Sequence, residues 1–290
     1  TVESIEKKKE SKNPPLLYNL AELQNDCAKY FKISPDETLR IVQELYEKKM
    51  ATYPRTDARV LSTAVSKEIH KNISGLHAIP GMRPFVAEIL EKGSFKNIAK
   101  TRYVNDKQIT DHYAIIPTGQ GIGALKALNE RSVKVYEVIV RRFLAIFYPA
   151  AIYRKVSLIA GVPDAPGTEK PKTELFFASF KILADPGYLK VMQYSFQKKK
   201  NTEKPEDACD EALLAHLSSL KKKDLLDLAG YEIKEGETSP PKRYNSGSMI
   251  LAMENAGQFI EDEELRAQIK GSGIGTSATR AEILKKLVAN

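Results

Sequence analysis

The chain has 290 residues, with 42% of them hydrophobic and 45 Lys and Arg against 37 Asp and Glu, a formal net charge of +8. That length suffices for a sizeable core and about two domains, and the basic balance favours polyanionic partners such as nucleic acid. Cys27 and Cys209 stand far apart with no CxxC companion, no apolar run approaches the roughly 20 residues that span a bilayer, and TVESIEKKKESKN has no signal-peptide core; a zinc ribbon and a membrane anchor are excluded, and a soluble, cytoplasmic protein with reduced thiols is expected.

Residues 1–15 are charged and end in Pro14-Pro15, which predicts a short strand or arm. Leu20, Leu23, Cys27 and Phe31 recur at helical spacing. Ser34-Pro35-Asp36-Glu37 is a helix start, with Ser34 able to cap, Pro35 suited to the first helical position and Glu37 completing a capping box. That helix is expected to bury Leu39, Val42, Leu45 and Tyr46 and to end near residues 48–50. Helices are also expected over residues 61–73, over 84–92 with Gly93 as the stop, and over 129–148, where Arg141 and Arg142 are left for solvent or phosphate. Residues 152–160 and 173–183 are rich in β-branched and aromatic side chains and predict strands, joined through GVPDAPGTEKPK. A polar loop over 197–207, short helices over 211–220 and 223–228, a linker over 235–241, helices over 246–257 and 261–270, and a glycine-rich turn entering a last helix complete the order. The helical block reads as an insertion into a β-rich domain that resumes after Pro149, and the stop at Asn290 inside the periodicity of RAEILKKLVAN is expected of a piece of a longer protein.

Three stretches carry chemistry. In ATYPRTD, Pro54 imposes an extended conformation on Tyr53, so Tyr53, Arg55 and Asp57 fall on one side of the chain. Ionising a free phenol at neutral pH costs about 4 kcal/mol, which a neighbouring cation offsets in part. The planar fork of Arg55 can do this while holding a phosphodiester in line for attack. Alone, the pattern also suits a turn with solvated charges. In TDHYAIIPT, His112 precedes an apolar step ending in proline, where an imidazole can donate to a phosphate or pass a proton, or simply serve the structure. In GSGIGTSATR, glycines let the backbone approach a polyanion and Thr276, Ser277, Thr279 and Arg280 add donors at a helix N-terminus; a flexible turn with a cap fits equally. The run EDEE at 261–264 reads as a solvated helix start, and no metal is assigned.

Taken together, LYEKKMATYPRTD, TDHYAIIPT, PPKRYNSGSMILAMENAG and GIGTSATRAEIL resemble, in order and spacing, the type IA DNA topoisomerases of the bacterial topoisomerase III kind, over nearly all of residues 14–287. The resemblance implies an α+β multidomain fold of toroidal architecture. Residues 1–15 and 151–237 would form a β-rich arch or hinge domain, 16–150 the inserted helical domain carrying the tyrosine, and 238–290 part of a helical domain for single-stranded DNA. It implies Tyr53 as the nucleophile that opens one strand and is joined to its 5′ phosphate, and Arg55 as the group that positions that phosphate. His112, Asp57, Thr279 and Arg280 are implied at the DNA. Religation would need no ATP, because the tyrosyl ester keeps the bond energy. The family's Toprim domain, with its acidic Mg2+ site, has no counterpart in this sequence; it is expected upstream in the parent chain, leaving no cofactor in this stretch and a segment that binds single-stranded DNA without relaxing supercoils. Ser277 stands where the family commonly has Pro and Tyr113 where a second His is frequent.

The rival from another class is a non-catalytic basic scaffold for nucleic acid, which expects Tyr53 buried or unsupported and Arg55 apart from His112. Relaxases need clustered metal-binding histidines, and tyrosine recombinases need their tyrosine near the C-terminus; neither pattern is present.

Overall fold

The computed structural model describes residues 1–163, 172–197, 211–268 and 273–289. In chain order its elements are β1 (Val2–Lys12), α1 (Leu20–Phe31), α2 (Pro35–Glu47), α3 (Thr63–Gly75), α4 (Arg83–Lys92), α5 (Glu130–Ala145), β2 (Ala151–Pro163), β3 (Thr173–Asp185), α6 (Glu211–Ser219), α7 (Ser246–Glu254), α8 (Glu263–Gln268) and α9 (Arg280–Ala289), with short 3-10 turns between several of them. The mixture of helix and sheet is that of an α+β chain. The helix starts follow their capping chemistry: the side chains of Asn19, Ser34, Ser62, Asn129 and Asn245 accept from the backbone N–H three residues on. Gly93 closes α4 in the left-handed conformation expected of a C-terminal glycine.

The chain divides into two compact units, one of residues 1–14, 149–190 and 197–240, the other of 15–148, 191–196 and 241–290. In the first, β1, β2 and β3 form an antiparallel sheet in that order. Lys12 pairs with Ala151 and Ile5 with Leu158 on one side of β2, and Val156 with Phe180 on the other. Val156 joins Leu214, Leu217 and Leu220 in a small core against which Ile5, Phe180 and Ile182 pack. Residues 223–228, expected as a helix, have no regular structure, and Leu225 and Leu228 are exposed there. The tip of the hairpin and most of the polar loop over 197–207 lie outside the described residues.

In the second unit α1, α2 and α5 pack together and bury Leu20, Leu23, Val42, Leu45, Val135 and Phe143. Two readings of the sequence are corrected here. Tyr46 is not core: the residue is 41% exposed, because α2 turns Ile41, Val42 and Leu45 inward instead. Arg141 and Arg142 are not held out for phosphate; both are buried. Arg141 pairs with Glu137 at 2.6 Å and donates to the Val191 carbonyl at 2.8 Å. Arg142 lies over the Tyr18 ring and donates to Asp26 at 2.9 Å, to the Tyr18 hydroxyl at 2.9 Å and to the Leu16 carbonyl at 3.1 Å. A buried charge is tolerated when it is paired and hydrogen-bonded, as both guanidinium groups are, although the buried Nε of Arg142 has no hydrogen-bond partner among the described residues.

Candidate active site around Tyr53

α2 ends in a tight turn at residues 47–50, and the chain leaves it extended. Met50–Thr52 runs antiparallel to residues 116–118: Thr52 N–H donates to the Ile116 carbonyl at 3.0 Å, Thr118 N–H donates to the Met50 carbonyl at 2.9 Å, and Ala51 pairs with Pro117. Two threonine hydroxyls then fasten the reactive segment on either side of Tyr53-Pro54-Arg55. Thr52 Oγ1 donates to the Ala114 carbonyl at 3.1 Å and accepts from Ile116 N–H at 2.9 Å. Thr56 Oγ1 donates to the His112 carbonyl at 2.8 Å and accepts from Ala58 N–H at 3.1 Å. The segment is not extended throughout as the sequence led one to expect: it bends at Pro54, and Thr56 N–H donates to the Pro54 carbonyl at 3.0 Å. Thr52 and Thr56 bond toward the 112–118 segment, while Tyr53 is half-buried and Arg55 and Asp57 are exposed. A second support runs from the chain entering α1: Leu20 N–H donates to the Thr56 carbonyl at 3.1 Å, and Ile115 N–H to the Tyr18 carbonyl at 2.7 Å.

The Tyr53 ring sits between two others. Tyr46 meets it edge to face with centroids 5.4 Å apart, and the His112 imidazole lies 4.4 Å away at a 44° tilt. The three side chains share a cavity of about 360 Å³ with Lys49, Tyr113, Thr118 and Gln120. Arg55 reaches into solvent, and no carboxylate of the described residues pairs with it. Tyr53 and His112 are thus brought together, with an unpaired guanidinium two residues on.

Asp57 is held by another partner. Its carboxylate accepts from Arg280 Nη1 at 3.0 Å, and the Arg280 guanidinium, only 6% exposed, also donates to the Ile274 and Gly275 carbonyls, each at 3.2 Å. Gly275 occupies the left-handed region at φ +66°, which folds the glycine-rich turn back under this guanidinium. Thr279 Oγ1 accepts from Thr276 N–H at 2.9 Å, capping the turn into α9. The sequence pairs Asp57 and Arg280 with a ligand; in the structure they pair with one another.

Two residues passed over in the sequence complete this junction. Buried Asn19, whose Oδ1 caps α1, donates through Nδ2 to the Asp57 carbonyl at 3.1 Å and to Glu254 Oε1 at 2.7 Å. Glu254, from the MENAG stretch on α7, also lies 3.9 Å from Arg280. Burial pushes the Glu254 carboxyl above its ordinary value, Arg280 opposing the rise and Asp57 and Glu22 adding to it. A carboxyl whose folded value is raised contributes stability below its unfolded value, and that contribution is lost as pH rises through the folded value. Replacing Glu254 by Gln removes this slope while keeping an acceptor for Asn19. The urea midpoint of the parent minus that of Glu254→Gln is therefore expected to fall on raising the pH from about 4 to neutral; a difference that rises or stays flat would contradict the burial of an ionisable Glu254.

Among the described residues, no group of three or more His, Cys, Asp or Glu side chains is placed to hold a metal ion. No helix of the described residues is long and apolar enough to cross a membrane.

Comparison with known proteins converges with the motifs. A family described as DNA topoisomerase matches residues 1–290. DNA topoisomerase 3 of Bacillus licheniformis is 36% identical over 277 residues, which cover 94% of this chain and 35% of that protein. DNA topoisomerase 3 of Shouchella clausii is 36% identical over 293 residues, covering 100% of this chain and 37% of that protein. The chain thus spans little more than a third of the length of these relatives. Among solved structures, full-length topoisomerase I from Thermotoga maritima superposes with a TM-score of 0.53 at 20% identity over 99% of this chain and 40% of that one, a likeness of fold. The match from end to end and the identity to these relatives make the chain a member of the type IA DNA topoisomerase family.

Proposed function

We propose that this chain carries the tyrosine half of a strand-cleaving site, Tyr53 attacking a DNA phosphodiester. The Tyr53 oxygen forms a bond to phosphorus, the bond to the 3′ oxygen breaks, and that oxygen leaves with a proton; the 5′ phosphate remains as a tyrosyl diester. The released 3′ hydroxyl reverses the step, so the bond is conserved and no nucleotide is consumed. Arg55 orients the phosphate and offsets charge developing on its oxygens, and His112 contacts the backbone beside the scissile bond. Thr279 and the Arg280–Asp57 pair lie along the path proposed for single-stranded DNA upstream of the cut, the pair holding the reactive segment to the glycine-rich turn. A magnesium-bearing acidic site is proposed for the remainder of the parent protein; no step above runs through it.

The observation that supports this reading best is the half-exposed Tyr53 ring packed 4.4 Å from His112 and followed by an unpaired Arg55. A passive scaffold has no use for such a juxtaposition. The test is mass spectrometry on a tryptic digest of full-length protein trapped with single-stranded DNA: the nucleotide should be found on the peptide containing Tyr53, and its attachment elsewhere would overturn the reading. The 290-residue chain alone is expected to bind single-stranded DNA without relaxing supercoils. Its affinity should fall linearly on a log–log plot against salt, with a slope of about −0.7 for each phosphate neutralised. Fluorescence anisotropy across a salt series checks this; a salt-independent affinity would speak against backbone binding.

A further inference from the structure

We infer that the cavity beside Tyr53 is a nucleobase pocket, receiving the base of the first nucleotide on the strand that becomes attached to the tyrosine. The inference rests on the reading of Tyr53 as nucleophile and names what sits next to it.

The walls are four flat rings and two polar tips. Tyr46, Tyr53 and Tyr113 expose part of their ring surface at the cavity, His112 adds its imidazole, and Lys49 and Gln120 stand at its edge. Tyr46 spends 41% of its surface on solvent from a helix whose other large apolar side chains are turned inward or partly covered, and its hydroxyl has no hydrogen bond among the described residues. A large ring left open beside a reactive group is the arrangement on which unpaired bases stack, every base offering a π-face. At about 360 Å³ the cavity falls in the range of small-molecule sites.

The pocket is also preformed. Lys49 holds φ +60°, a left-handed conformation unusual for a residue with a side chain, and its carbonyl accepts from the Thr118 hydroxyl at 2.5 Å. Across from it Gly121, at φ +66°, approaches so closely that a Cβ there would lie 2.3 Å from the Lys48 carbonyl oxygen. The turn after α2 and the turn after Thr118 are thereby locked together as two fixed walls. Backbone held in a sparsely populated conformation beside a reactive group points to a use for it. Here it sets Lys49, whose ammonium no carboxylate of the described residues engages, in the cavity lining. Because Tyr53 is itself part of the wall, a nucleoside joined to its oxygen through one phosphate starts at the pocket mouth. Lys49 is then placed for the flanking phosphate and Gln120 for the base edge.

The experiment compares covalent adduct formation by full-length protein on two single-stranded oligonucleotides, one intact and one abasic at the nucleotide 3′ to the cut. Tyr46→Leu and Tyr46→Phe are assayed beside the parent. The abasic site is expected to weaken adduct formation by the parent roughly 5- to 150-fold, the range for losing one stacked base. Tyr46→Leu should weaken it comparably on intact DNA and lose little more on abasic DNA, because ring and base act as one pair. Tyr46→Phe should behave as the parent. The same base replaced by 2-aminopurine should be quenched on binding to the parent and to Tyr46→Phe, but not to Tyr46→Leu. An adduct on Tyr53 that is indifferent to the abasic site, or abasic and Tyr46→Leu effects that simply multiply, would overturn the pocket while leaving the nucleophile in place. No adduct on any oligonucleotide would overturn both.

Discussion

Tyr53→Phe should abolish the covalent DNA adduct of the full-length protein while leaving its affinity for single-stranded DNA within about twofold of the parent, the range of substitutions that disturb no packing. The change deletes only the oxygen that would bond to phosphorus. The ring remains, and the ring makes the contacts, edge on to Tyr46 at 5.4 Å and tilted on His112 at 4.4 Å. The Thr52 and Thr56 hydroxyls that fasten the segment are untouched. Trapping the adduct in denaturant measures the first outcome and anisotropy the second. An adduct that persists in Tyr53→Phe would move the nucleophile elsewhere, and a collapse of affinity would mean that the hydroxyl serves binding instead of bond formation. Arg55→Lys is the companion variant. A lysine keeps the charge but not the two-pronged fork, so binding should survive better than adduct formation.

The largest expected effect on stability lies beneath the site. Arg142→Ala should destabilise the helical unit by roughly 3–5 kcal/mol, the cost of breaking a buried ion pair from one side. Three partners lose their donor at once: the Asp26 carboxylate, the Tyr18 hydroxyl and the Leu16 carbonyl. Asp26 retains only the Tyr18 hydroxyl bond at 2.5 Å. The urea midpoint should drop with little change in slope. Arg142→Met combined with Asp26→Leu removes both charges and should recover most of the loss, since an apolar replacement of a buried pair is often neutral. If the double variant is as unstable as Arg142→Ala, the cost comes from packing around the Tyr18 ring instead of from a stranded charge. Because the Tyr18 carbonyl accepts from Ile115 N–H, the single variant should also loosen the segment that carries His112.

Much of the local structure was legible because its signals are local. Ser34-Pro35 and Gly93 punctuate helices through their own chemistry. What escaped depends on partners far along the chain. Arg141 and Arg142 read as solvent charges because, apart from Glu137 one helical turn before Arg141, nothing near them in sequence announces Val191, Asp26 or Tyr18 as acceptors. Tyr46 fits a core position by periodicity, and only the placement of Tyr53 after α2 turns its ring into part of the site. The leucines of residues 223–228 suggested a helix, yet no helix forms there. The union of Asp57 with Arg280 could not be read at all, since 223 residues separate the two and no local pattern ties one to the other.

That union spans 223 residues of sequence. At ribosomal speeds of about 5–20 residues per second, roughly 10–45 s separate the emergence of Asp57 from that of its partner. During that interval the nascent segment holds its tyrosine with the clamp at Asp57 still open. The order of synthesis thus delays completion of the junction beside Tyr53 until the helix bearing Arg280 has been made, so a chain arrested before that helix lacks the finished junction.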